Sequence, residues 1–322
     1  MRYRDRITTA LPFLVMFMVA AATFDLVPET GAETKGKTPA AQKVFASPEE
    51  AAVALADAMR GENIGTLVVV LGPGSESLVH SGDPVADRAT RERFLTKFDE
   101  ARKIDGSSAG RVVLTVGKDE WPFPIPIVRK GSGWVFDTAQ GKEEILARRI
   151  GRNELSTVQV MRAIVDAQRE YAMEDRDGNG LLEYARKFWS DPPGEKNGLY
   201  WETKEGEDPS PLGPLAARAR AEGYKKKKGG EGTVPYHGYL YRILSAQGTN
   251  APGGAFDYLV KGKMIGGFAV VAYPAQYGKS GVMTFIVNHD GVVYERDLGS
   301  KSEAKARAMT KFDPGKGWKR VE

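Results

Sequence analysis

The first half of the chain begins with helical patterns and then changes to strand patterns. Ser47 opens a capping box, a proline follows it at the first helical position, and Gly61 supplies a C-cap, so the pattern predicts a helix over 48–60. A second helix is predicted from Asp83 to about residue 104, because its apolar residues recur at helical spacing. Strand-like segments follow at 111–116, 123–129 and 134–137. Helices followed by a curved sheet indicate a small α+β domain over 47–151.

The second half begins with helical patterns on either side of a polar loop. A short helix is predicted over 141–150, closed by Gly151, because glycine commonly ends helices. Ser156 then opens another capping box, and apolar residues on one face predict a helix to about Met173. Past the loop, a shorter helix is predicted over 182–189. The pattern therefore predicts three separate helices in this part of the chain.

The remaining residues change first to an irregular stretch and then to β patterns. Residues 190–232 are rich in Pro, Gly, Lys and Glu, and this composition predicts a long irregular insertion. Strand-like runs then occur at 236–246, 266–274, 282–288 and 292–298. Three residues ending in Gly291 separate the last two runs, which predicts an antiparallel hairpin with a left-handed final loop position. A closing helix near 302–309 completes a second predicted α+β domain over 152–322.

The N-terminal residues differ from the rest of the chain in composition. Arginines at positions 2, 4 and 6 precede an apolar run over 11–22, and small residues before and at Ala32 form a cleavage site. We therefore predict a signal peptide over 1–32, cleaved after Ala32, and a polar linker over 33–46. The apolar run is shorter than the roughly 20 residues that a membrane span needs, so no stable span is expected after cleavage. An uncleaved anchor is the alternative.

Cysteine content and charge restrict the classes of function. The chain has no cysteine, which excludes disulfides, thiolate metal sites and a cysteine nucleophile. With a signal peptide, the chain is predicted to be periplasmic or secreted. The net charge of +4 is mild, and the basic run 225–228 lies between glycines without interleaved aromatic residues. We therefore expect no nucleic-acid partner, and an unknown envelope protein or glycan as the partner.

A short acidic segment has the spacing of a calcium-binding loop. Its predicted metal ligands, in EF-hand spacing, are Asp175, Asp177, Asn179, the Leu181 carbonyl and Glu183. Gly180 falls where such a loop needs a sharp turn, but Arg186 occupies the position of the usual bidentate glutamate. Because Ca²⁺ prefers a shell of several oxygen ligands, the segment predicts a structural Ca²⁺ site. A polar turn without metal is the alternative.

Aromatic residues and histidines of the second half provide the candidates for binding or catalysis. The predicted binding surface consists of Tyr236, His237, Tyr239 and Tyr241, because tyrosine is frequent at recognition surfaces. A half-buried sheet explains the same residues equally well. His237 or His289, with a nearby carboxylate, would supply an acid–base pair. Nucleophile and nucleotide-binding motifs fail on spacing, so no catalytic or cofactor-binding residue is assigned.

Five longer runs are distinctive when taken together. They are I-G-R-N-E-L (150–155), D-A-Q-R-E-Y (166–171), Y-H-G-Y-L-Y-R-I-L (236–244), G-G-F-A-V-V-A-Y-P (266–274) and G-V-M-T-F-I-V-N-H-D-G-V-V-Y (281–294). These runs resemble an uncharacterised family of exported bacterial proteins, domain of unknown function number 2950. The resemblance covers nearly all of the mature chain. It implies no activity and no catalytic residues, because the family has none established.

A second, more distant resemblance concerns the fold of the second half. A helix carrying A-Q-x-x-Y, followed by G-Y-x-Y-R-I and T-F-I-V-N-x-D-G on strands, is similar to the globular half of type IV pilins and pseudopilins. This resemblance implies a long helix packed on an antiparallel sheet, and some pilins stabilise a loop with calcium. The hydrophobic assembly helix of pilins is absent before Leu155.

Together these features predict a fold class and three functions. The fold class is α+β, with a small N-terminal helix-plus-curved-sheet domain followed by a pilin-like long helix packed on an antiparallel sheet. The first hypothesis is a non-enzymatic cell-envelope protein for binding or scaffolding, with a calcium-stabilised loop. The second is a periplasmic hydrolase acting on cell-wall or polysaccharide material. The third is a subunit of a pilus-like assembly.

Overall fold

Two hydrophobic cores and one long helix shared between them organise the chain. The computed structural model describes residues 41–61, 63–108, 110–176, 178–191, 194–224 and 234–322. The predicted signal peptide, the basic run 225–228 and Asp177 lie outside the described residues.

Seven helices occur in the described ranges. They are α1 (Pro48–Arg60), α2 (Ile64–Leu71), α3 (Glu76–Val79), α4 (Pro84–Glu100), α5 (Thr138–Tyr171), α6 (Gly213–Ala221) and α7 (Ser302–Ala308). Helix α1 has the predicted bounds, and the Ser47 hydroxyl accepts a hydrogen bond from the Glu50 N–H at 3.1 Å. Helix α4 begins after Asp83 as predicted, but it ends at Glu100. Helix α6 lies inside the stretch that was predicted to be irregular.

The strands of the described ranges form four sheets. They are β1 (Arg102–Ser108), β2 (Arg111–Val116), β3 (Trp121–Pro122), β4 (Ile127–Lys130), β5 (Gly133–Phe136), β6 (Tyr239–Leu244), β7 (Ala246–Gln247), β8 (Phe256–Asp257), β9 (Leu259–Val260), β10 (Lys263–Met264), β11 (Ala269–Pro274), β12 (Met283–Asn288), β13 (Tyr294–Asp297), β14 (Lys311–Phe312) and β15 (Lys319–Arg320). The first sheet has the order β1-β2-β4-β5, with β3 on β2, and the second has the order β15-β13-β12-β11-β6. Smaller sheets are β9 with β10, and β14-β7-β8, in which β14 and β7 are parallel.

The first core lies between helices α1, α2 and α4 and the first sheet. Leu55 of α1, Leu114 of β2 and Ile127 of β4 are fully buried in it. The sheet is antiparallel, and its first strand was missed by the sequence pattern because β1 starts two residues after α4 ends. Ile104 belongs to this strand, where it pairs with Leu114.

The second core lies between helix α5 and the second sheet. Val270 and Val271 of β11, with Val287 of β12, are completely buried there. Strands β12 and β13 pair antiparallel as predicted, and Gly291 has the expected left-handed backbone with φ of 82°. The connection is longer than the predicted three residues, because β13 begins only at Tyr294. The described arrangement is thus the predicted α+β fold, with a long helix packed on an antiparallel sheet.

Helix α5 is a single element of 34 residues, not the two helices that were predicted. Gly151 lies in its interior, because glycine in a helix costs only about 1 kcal/mol and the flanking residues favour the helix. Thr157 donates its hydroxyl to the Asn153 carbonyl at 2.8 Å, so the predicted capping box is ordinary helix interior. The predicted boundary between 151 and 152 therefore falls inside α5, and the division into two domains stays a prediction.

The segment after the polar loop is extended, so the helix predicted over 182–189 is wrong. The completely buried amide of Gln168 explains the conformation. It donates to the Ala185 carbonyl and accepts from the Ala185 N–H, both at 2.8 Å. Tyr184 donates its N–H to the Met264 carbonyl at 2.9 Å, which also fixes an extended backbone. These contacts outweigh the local helical pattern.

Two of the distinctive sequence runs have structural roles in joining α5 to the second sheet. Glu154 accepts hydrogen bonds from the N–H groups of Val282 and Met283 at 2.9 and 3.0 Å. Asn153 donates its amide to the Ser280 carbonyl at 2.8 Å. Within the described ranges, no helix combines the length and the apolar character that crossing a bilayer requires.

Candidate functional site

A cavity of about 500 Å³, here called the apolar cavity, lies between the first core and the middle of α5. Its apolar lining comes from helices α1 to α5, from β3 and from the segment after β3: Met59, Leu67, Leu71, Leu78, Val79, Phe94, Trp121, Phe123, Pro124, Ile125 and Ile145. The rings of Phe94 and Phe123 meet edge to face at 5.4 Å and form part of this lining. The volume is typical of small-molecule sites in proteins.

Positively charged side chains border the apolar cavity. They are Arg91, Arg93, Lys97, Arg148, Arg149 and Arg152, and Asp87 is the single carboxylate in the lining. Lys97 pairs with Asp119 at 2.7 Å, and Arg148 pairs with Glu144. The guanidinium of Arg148 also lies 5.7 Å from the centre of the Trp121 ring. The charges of Lys97 and Arg148 are therefore compensated in part.

Arg93, Arg149 and Arg152 make no ion pair with any carboxylate in the described ranges. Arg149 instead donates to the carbonyls of Ser77, at 2.8 Å, and Leu78. Burial lowers the pKa of Arg149, against the opposing negative charge of Asp87, and loss of hydration together with the positive charges of Arg93 and Arg148 lowers the pKa of Arg152. The border thus concentrates positive charge that an anion would neutralise.

A second cavity of about 340 Å³, here called the polar cavity, shares part of this border. Its further lining includes Ser156, Glu222, Tyr224 and His237. Helix α6 brings Glu222 to the cavity, since this residue directly follows its last turn. The turn before β6 brings His237.

His237 is held by a two-residue turn between Tyr236 and Tyr239. These two tyrosines exchange backbone hydrogen bonds at 2.9 and 3.1 Å, and both central residues are left-handed, with φ of 50° at His237 and 75° at Gly238. Two-residue turns of this kind favour Asn-Gly, because both central residues need a positive φ. A side chain on Gly238 would meet the Asn153 amide at 2.5 Å. The turn therefore fixes the direction of the imidazole.

Asp83 connects this turn to helix α4. Its Oδ1 accepts the helix-capping bond from the Ala86 N–H at 3.1 Å. Its Oδ2 accepts hydrogen bonds from the Tyr224 hydroxyl at 2.8 Å and from the Gly238 N–H at 2.9 Å. The side chain is almost completely buried, so these bonds compensate a carboxylate removed from water. Burial, followed by the negative charge of Asp83, raises the pKa of Tyr224 far above its usual range.

The imidazole of His237 lies close to one carboxylate. Its Nε2 is 3.4 Å from Oε2 of Glu222, and its ring centre is 4.1 Å from that of Tyr236. Burial lowers the pKa of His237, although the charges of Glu222 and Asp83 partly oppose this effect. Burial and then Glu222 raise the pKa of Tyr236 to about 12. The imidazole is therefore neutral at pH 7, with one nitrogen able to donate and one able to accept.

The four residues of the predicted binding surface occupy different environments. Tyr239 is completely buried and donates its hydroxyl to the Met283 carbonyl at 2.9 Å. Tyr241 lies between the sheet and α5, with its hydroxyl 3.4 Å from that of Thr157. Tyr236 and His237 are partly buried, and His237 lines the polar cavity. A binding role for this surface stays a prediction, with His237 as its cavity-lining member.

His289, the alternative catalytic histidine, lies away from both cavities. Its Nε2 is 3.8 Å from Oδ1 of Asp290, and its ring packs edge to face against Tyr258 at 5.6 Å. Its Nδ1 is buried without a hydrogen-bond partner among the described residues.

The predicted calcium loop is closed by its own hydrogen bonds. Asp175 accepts from the N–H groups of Asn179 and Gly180 at 3.0 and 2.7 Å. The Leu181 N–H donates to the Asn179 side chain at 2.9 Å. Gly180 is left-handed with φ of 81°, as the sharp bend requires.

Glu183, at the other end of the loop, is bonded both within the loop and outside it, since it accepts a hydrogen bond from the Asn179 side-chain amide at 3.0 Å. Its carboxylate accepts from the Lys263 ammonium at 2.9 Å and from the Met264 N–H at 3.3 Å. Across the described residues, no three acidic or histidine side chains converge as metal ligands. Asp177 lies outside that set. The fit of the described ligands to Ca²⁺ is partial, because Asp175 and Asn179 face into the bend, whereas Glu183 pairs with Lys263.

The sequence pattern did not reveal either cavity. Arg93 on α4 and Arg152 on α5 are far apart in sequence, and only the fold brings them to one border. One local signal existed: Arg148, Arg149 and Arg152 recur at spacings that keep them near each other on a helix, without an equal number of acidic partners.

The fold and the two cavities define an α+β protein with a site of small-molecule size between its cores. The chain belongs to the family described as Protein of unknown function (DUF2950), whose sequence model matches residues 42–321. Comparisons with curated proteins and with solved structures found no match. The resemblance to an uncharacterised family is therefore confirmed, and the likeness to pilins stays a prediction.

Proposed function

We propose that this protein binds an anionic amphiphile, a molecule with an apolar chain and an acidic head group, as a non-enzymatic protein of the cell envelope. One observation carries the proposal: the apolar cavity is bordered by Arg93, Arg149 and Arg152, which form no ion pair among the described residues, and Asp87 is the one carboxylate that the described lining contributes against them. The apolar chain would occupy the cavity, and the acidic group would lie against Arg93, Arg149 and Arg152.

Both parts of such a ligand gain from this environment. Burial of each CH₂ group contributes about 0.8 kcal/mol, so a medium-length chain supplies most of the affinity. Arginine presents a planar fork of N–H donors that matches carboxylate and phosphate oxygens. A neutral ligand would form no charge-assisted hydrogen bond with these arginines, and an anion without a chain would leave the apolar lining unused.

Calorimetric titration of the purified full chain tests the proposal with three probes below their micelle concentrations. Decyl phosphate has both features, decyl maltoside has the same chain with a neutral head, and inorganic phosphate has the charge alone. We expect decyl phosphate to bind most tightly. Replacing Arg93 and Arg152 together by Gln should weaken its binding at least about tenfold, because charge-assisted hydrogen bonds are lost.

Arg162→Gln is the matched control. Arg162 is an exposed arginine of the same helix and lines neither cavity, so its replacement should leave binding unchanged. Equal affinity for decyl phosphate and decyl maltoside, or an equal loss in the control variant, would overturn the proposal.

Export to the periplasm or beyond is part of this proposal and rests on the composition of residues 1–32. Cell fractionation with N-terminal sequencing tests it. A mature chain that begins at Glu33 is the expected result, and a cytoplasmic chain that retains residues 1–32 would contradict it.

A structural Ca²⁺ in the loop Asp175–Glu183 is also proposed. Asp175 would hold the ion with the Asn179 side chain and the Leu181 carbonyl, and Asp177 would add a further carboxylate. Support comes from the ligand spacing and from the left-handed Gly180. The bond between Glu183 and Lys263 leaves fewer acidic ligands than an EF-hand has, so the affinity should be weak.

A second candidate function is hydrolysis of cell-wall or polysaccharide material, favoured by the pair His237 and Glu222. A neutral imidazole lining a cavity and 3.4 Å from a carboxylate has the arrangement of a general base with an orienting group. His289 faces neither cavity. Release of soluble sugars from purified cell wall, lost in His237→Asn and retained in His289→Asn, would support this function. Undiminished release after alanine replacement of both histidines would exclude it.

A further inference from the structure

The two cavities adjoin, and five residues line both of them. These shared residues are Asp87, Thr90, Arg93, Arg149 and Arg152. A head group bound by Arg93, Arg149 and Arg152 would therefore have the apolar cavity on one side and the polar cavity on the other. A ligand that ends at its acidic group would occupy only the apolar cavity and leave the polar cavity empty.

The chemistry of the polar cavity differs from that of its neighbour. Beside the small aliphatic residues Val85, Ala86 and Ala89, its lining includes the polar side chains of Ser156, Glu222, Tyr224 and His237. Glu222 presents acceptor oxygens: its Oε2 lies 3.4 Å from Nε2 of His237, and its Oε1 accepts from Nε of Arg218. Neutral His237 supplies one donor and one acceptor. The cavity thus offers both kinds of hydrogen-bonding group beside an aromatic ring.

The charges and hydrogen-bonding groups of the polar cavity favour one kind of ligand group over others. A cationic group would be repelled by the shared arginines, and an apolar group would remove water from Glu222 and His237 without replacing its hydrogen bonds. A neutral group rich in hydroxyls both donates and accepts, so it can satisfy Glu222 and His237 together. Its C–H faces can also pack against the imidazole.

The position between two cavities also restricts the acidic group itself. The group must be linked to a chain on one side and to a substituent on the other, and it must keep a negative charge for the arginines. A carboxylate loses its charge when it is esterified. A phosphate diester carries two substituents and remains an anion.

The groups of the polar cavity are held in place before any ligand binds. The left-handed turn fixes His237, and buried Asp83 anchors that turn through the Gly238 N–H at 2.9 Å. Glu222 is oriented by Arg218, whose Nε donates to Oε1 at 3.1 Å. Preorganised groups reduce the entropy lost on binding.

We propose that the polar cavity binds a sugar group attached through the phosphate, so that the complete ligand is a long-chain alkyl sugar phosphate diester. This inference rests on the proposed amphiphile-binding function and specifies its ligand. Glu222 and His237 contact the hydroxyls of the sugar, Arg93, Arg149 and Arg152 contact the phosphate, and the alkyl chain fills the apolar cavity.

Calorimetry with two diesters of equal charge tests the inference on the full chain. Decyl glucosyl phosphate carries the sugar, and decyl methyl phosphate replaces it by a methyl group. We expect the glucosyl diester to bind about tenfold more tightly. Glu222→Gln and His237→Asn should remove this preference while the affinity for the methyl diester stays the same. Asparagine suits a left-handed turn position, so His237→Asn is compatible with the fold.

The outcomes separate this inference from the function on which it rests. Equal binding of both diesters to the native protein overturns the sugar site and leaves amphiphile binding in place. An equal loss for both diesters in Glu222→Gln and His237→Asn also overturns it, because the effect then lies outside the polar cavity. Absence of binding by either diester and by decyl phosphate overturns both proposals.

Discussion

The carboxylate of Asp83 accepts a hydrogen bond from the hydroxyl of Tyr224 at 2.8 Å, across 141 positions of the sequence. Asp83 is simultaneously the N-cap of α4, so one buried side chain joins a helix of the first core to the residues after α6. Tyr224 lines the polar cavity, so this bond holds part of the cavity wall in place.

Tyr224→Phe is expected to destabilise the protein by about 1–2 kcal/mol, because it leaves a buried carboxylate with one donor fewer. Urea unfolding measures the change. Tyr277→Phe is the matched control, since Tyr277 also donates to an aspartate, Asp297, at 3.1 Å, but both groups are exposed to solvent to a greater extent. Its effect should stay within about 0.5 kcal/mol. Equal effects of the two variants would contradict the role given to burial.

Gln168→Ala should cost about 2–4 kcal/mol of stability, because the Ala185 N–H and carbonyl both lose their buried partner. Gln159→Ala, at an exposed position of the same helix, should change stability by less than about 0.5 kcal/mol. Chemical denaturation of both variants gives the comparison. A small effect at Gln168 would mean that the extended segment after the loop is held by other contacts.

Two glycines of α5 should respond in opposite directions to alanine. A side chain at Gly151 meets no atom within 4 Å, so Gly151→Ala should stabilise by about 0.5–1 kcal/mol through better helix propensity. At Gly141 the added carbon would lie 2.5 Å from the Pro124 carbonyl oxygen, so Gly141→Ala should destabilise. Thermal unfolding distinguishes them. Destabilisation by Gly151→Ala would instead support the helix end predicted from the sequence.

Stability should fall at acidic pH in a manner that depends on His237. Burial lowers the pKa of His237 from its usual 6.5, with opposing effects of Glu222 and Asp83 and a further lowering by Arg218. Below pH 6.5, His237 is therefore protonated more readily in the unfolded chain than in the native protein. The stability that neutral His237 contributes is therefore fully present above pH 6.5. It is lost as the pH falls towards the lowered pKa, at up to about 1.4 kcal/mol per pH unit.

The measurement is the difference in unfolding free energy between neutral pH and about pH 5.5, in the native protein and in His237→Asn. Groups that do not interact with His237 titrate alike in both proteins, so their effects cancel, and the difference reports His237 together with its neighbours Glu222 and Asp83. The native protein should lose more stability than the variant. The same loss in both would show that His237 does not contribute.

Removal of calcium should lower the melting temperature if the loop Asp175–Glu183 holds the ion, because a ligand of the native state adds stability by mass action. The melting temperatures are compared in millimolar calcium and in EDTA. Asp177→Ala should abolish the difference, whereas Asp166→Ala, at an exposed position of α5, should retain it. Identical melting temperatures of the native protein in the two solutions would exclude the proposed calcium.

The elements that depend on local chemistry could be predicted from the sequence. Ser47 and Asp83 cap their helices, and Gly291 closes its hairpin, because each acts on residues a few positions away. The two strand-rich halves and the α+β class follow from the same patterns. Gly151 was misread as a helix end, since tertiary packing on both sides tolerates the small cost of glycine within α5.

The candidate site could be predicted only in fragments. The neighbouring Tyr236 and Tyr239 make His237 a candidate in the sequence. Its partner Glu222 follows α6, a helix within a stretch whose composition predicts irregular structure. Arg93 and Arg152 approach each other only after α4 and α5 have packed. Such long-range contacts have no periodic signature in a single sequence, so their discovery required the fold.

The continuity of α5 also makes the ligand site sensitive to helical phase. One inserted residue rotates everything beyond it by about 100° and advances it by about 1.5 Å. An insertion or deletion between Arg152 and Gln168 would thus rotate the second sheet away from the arginines. The loop that carries His237 would move with the sheet. Insertions and deletions should therefore be tolerated in the connecting loops, whereas the number of residues between Arg152 and Gln168 should stay constant.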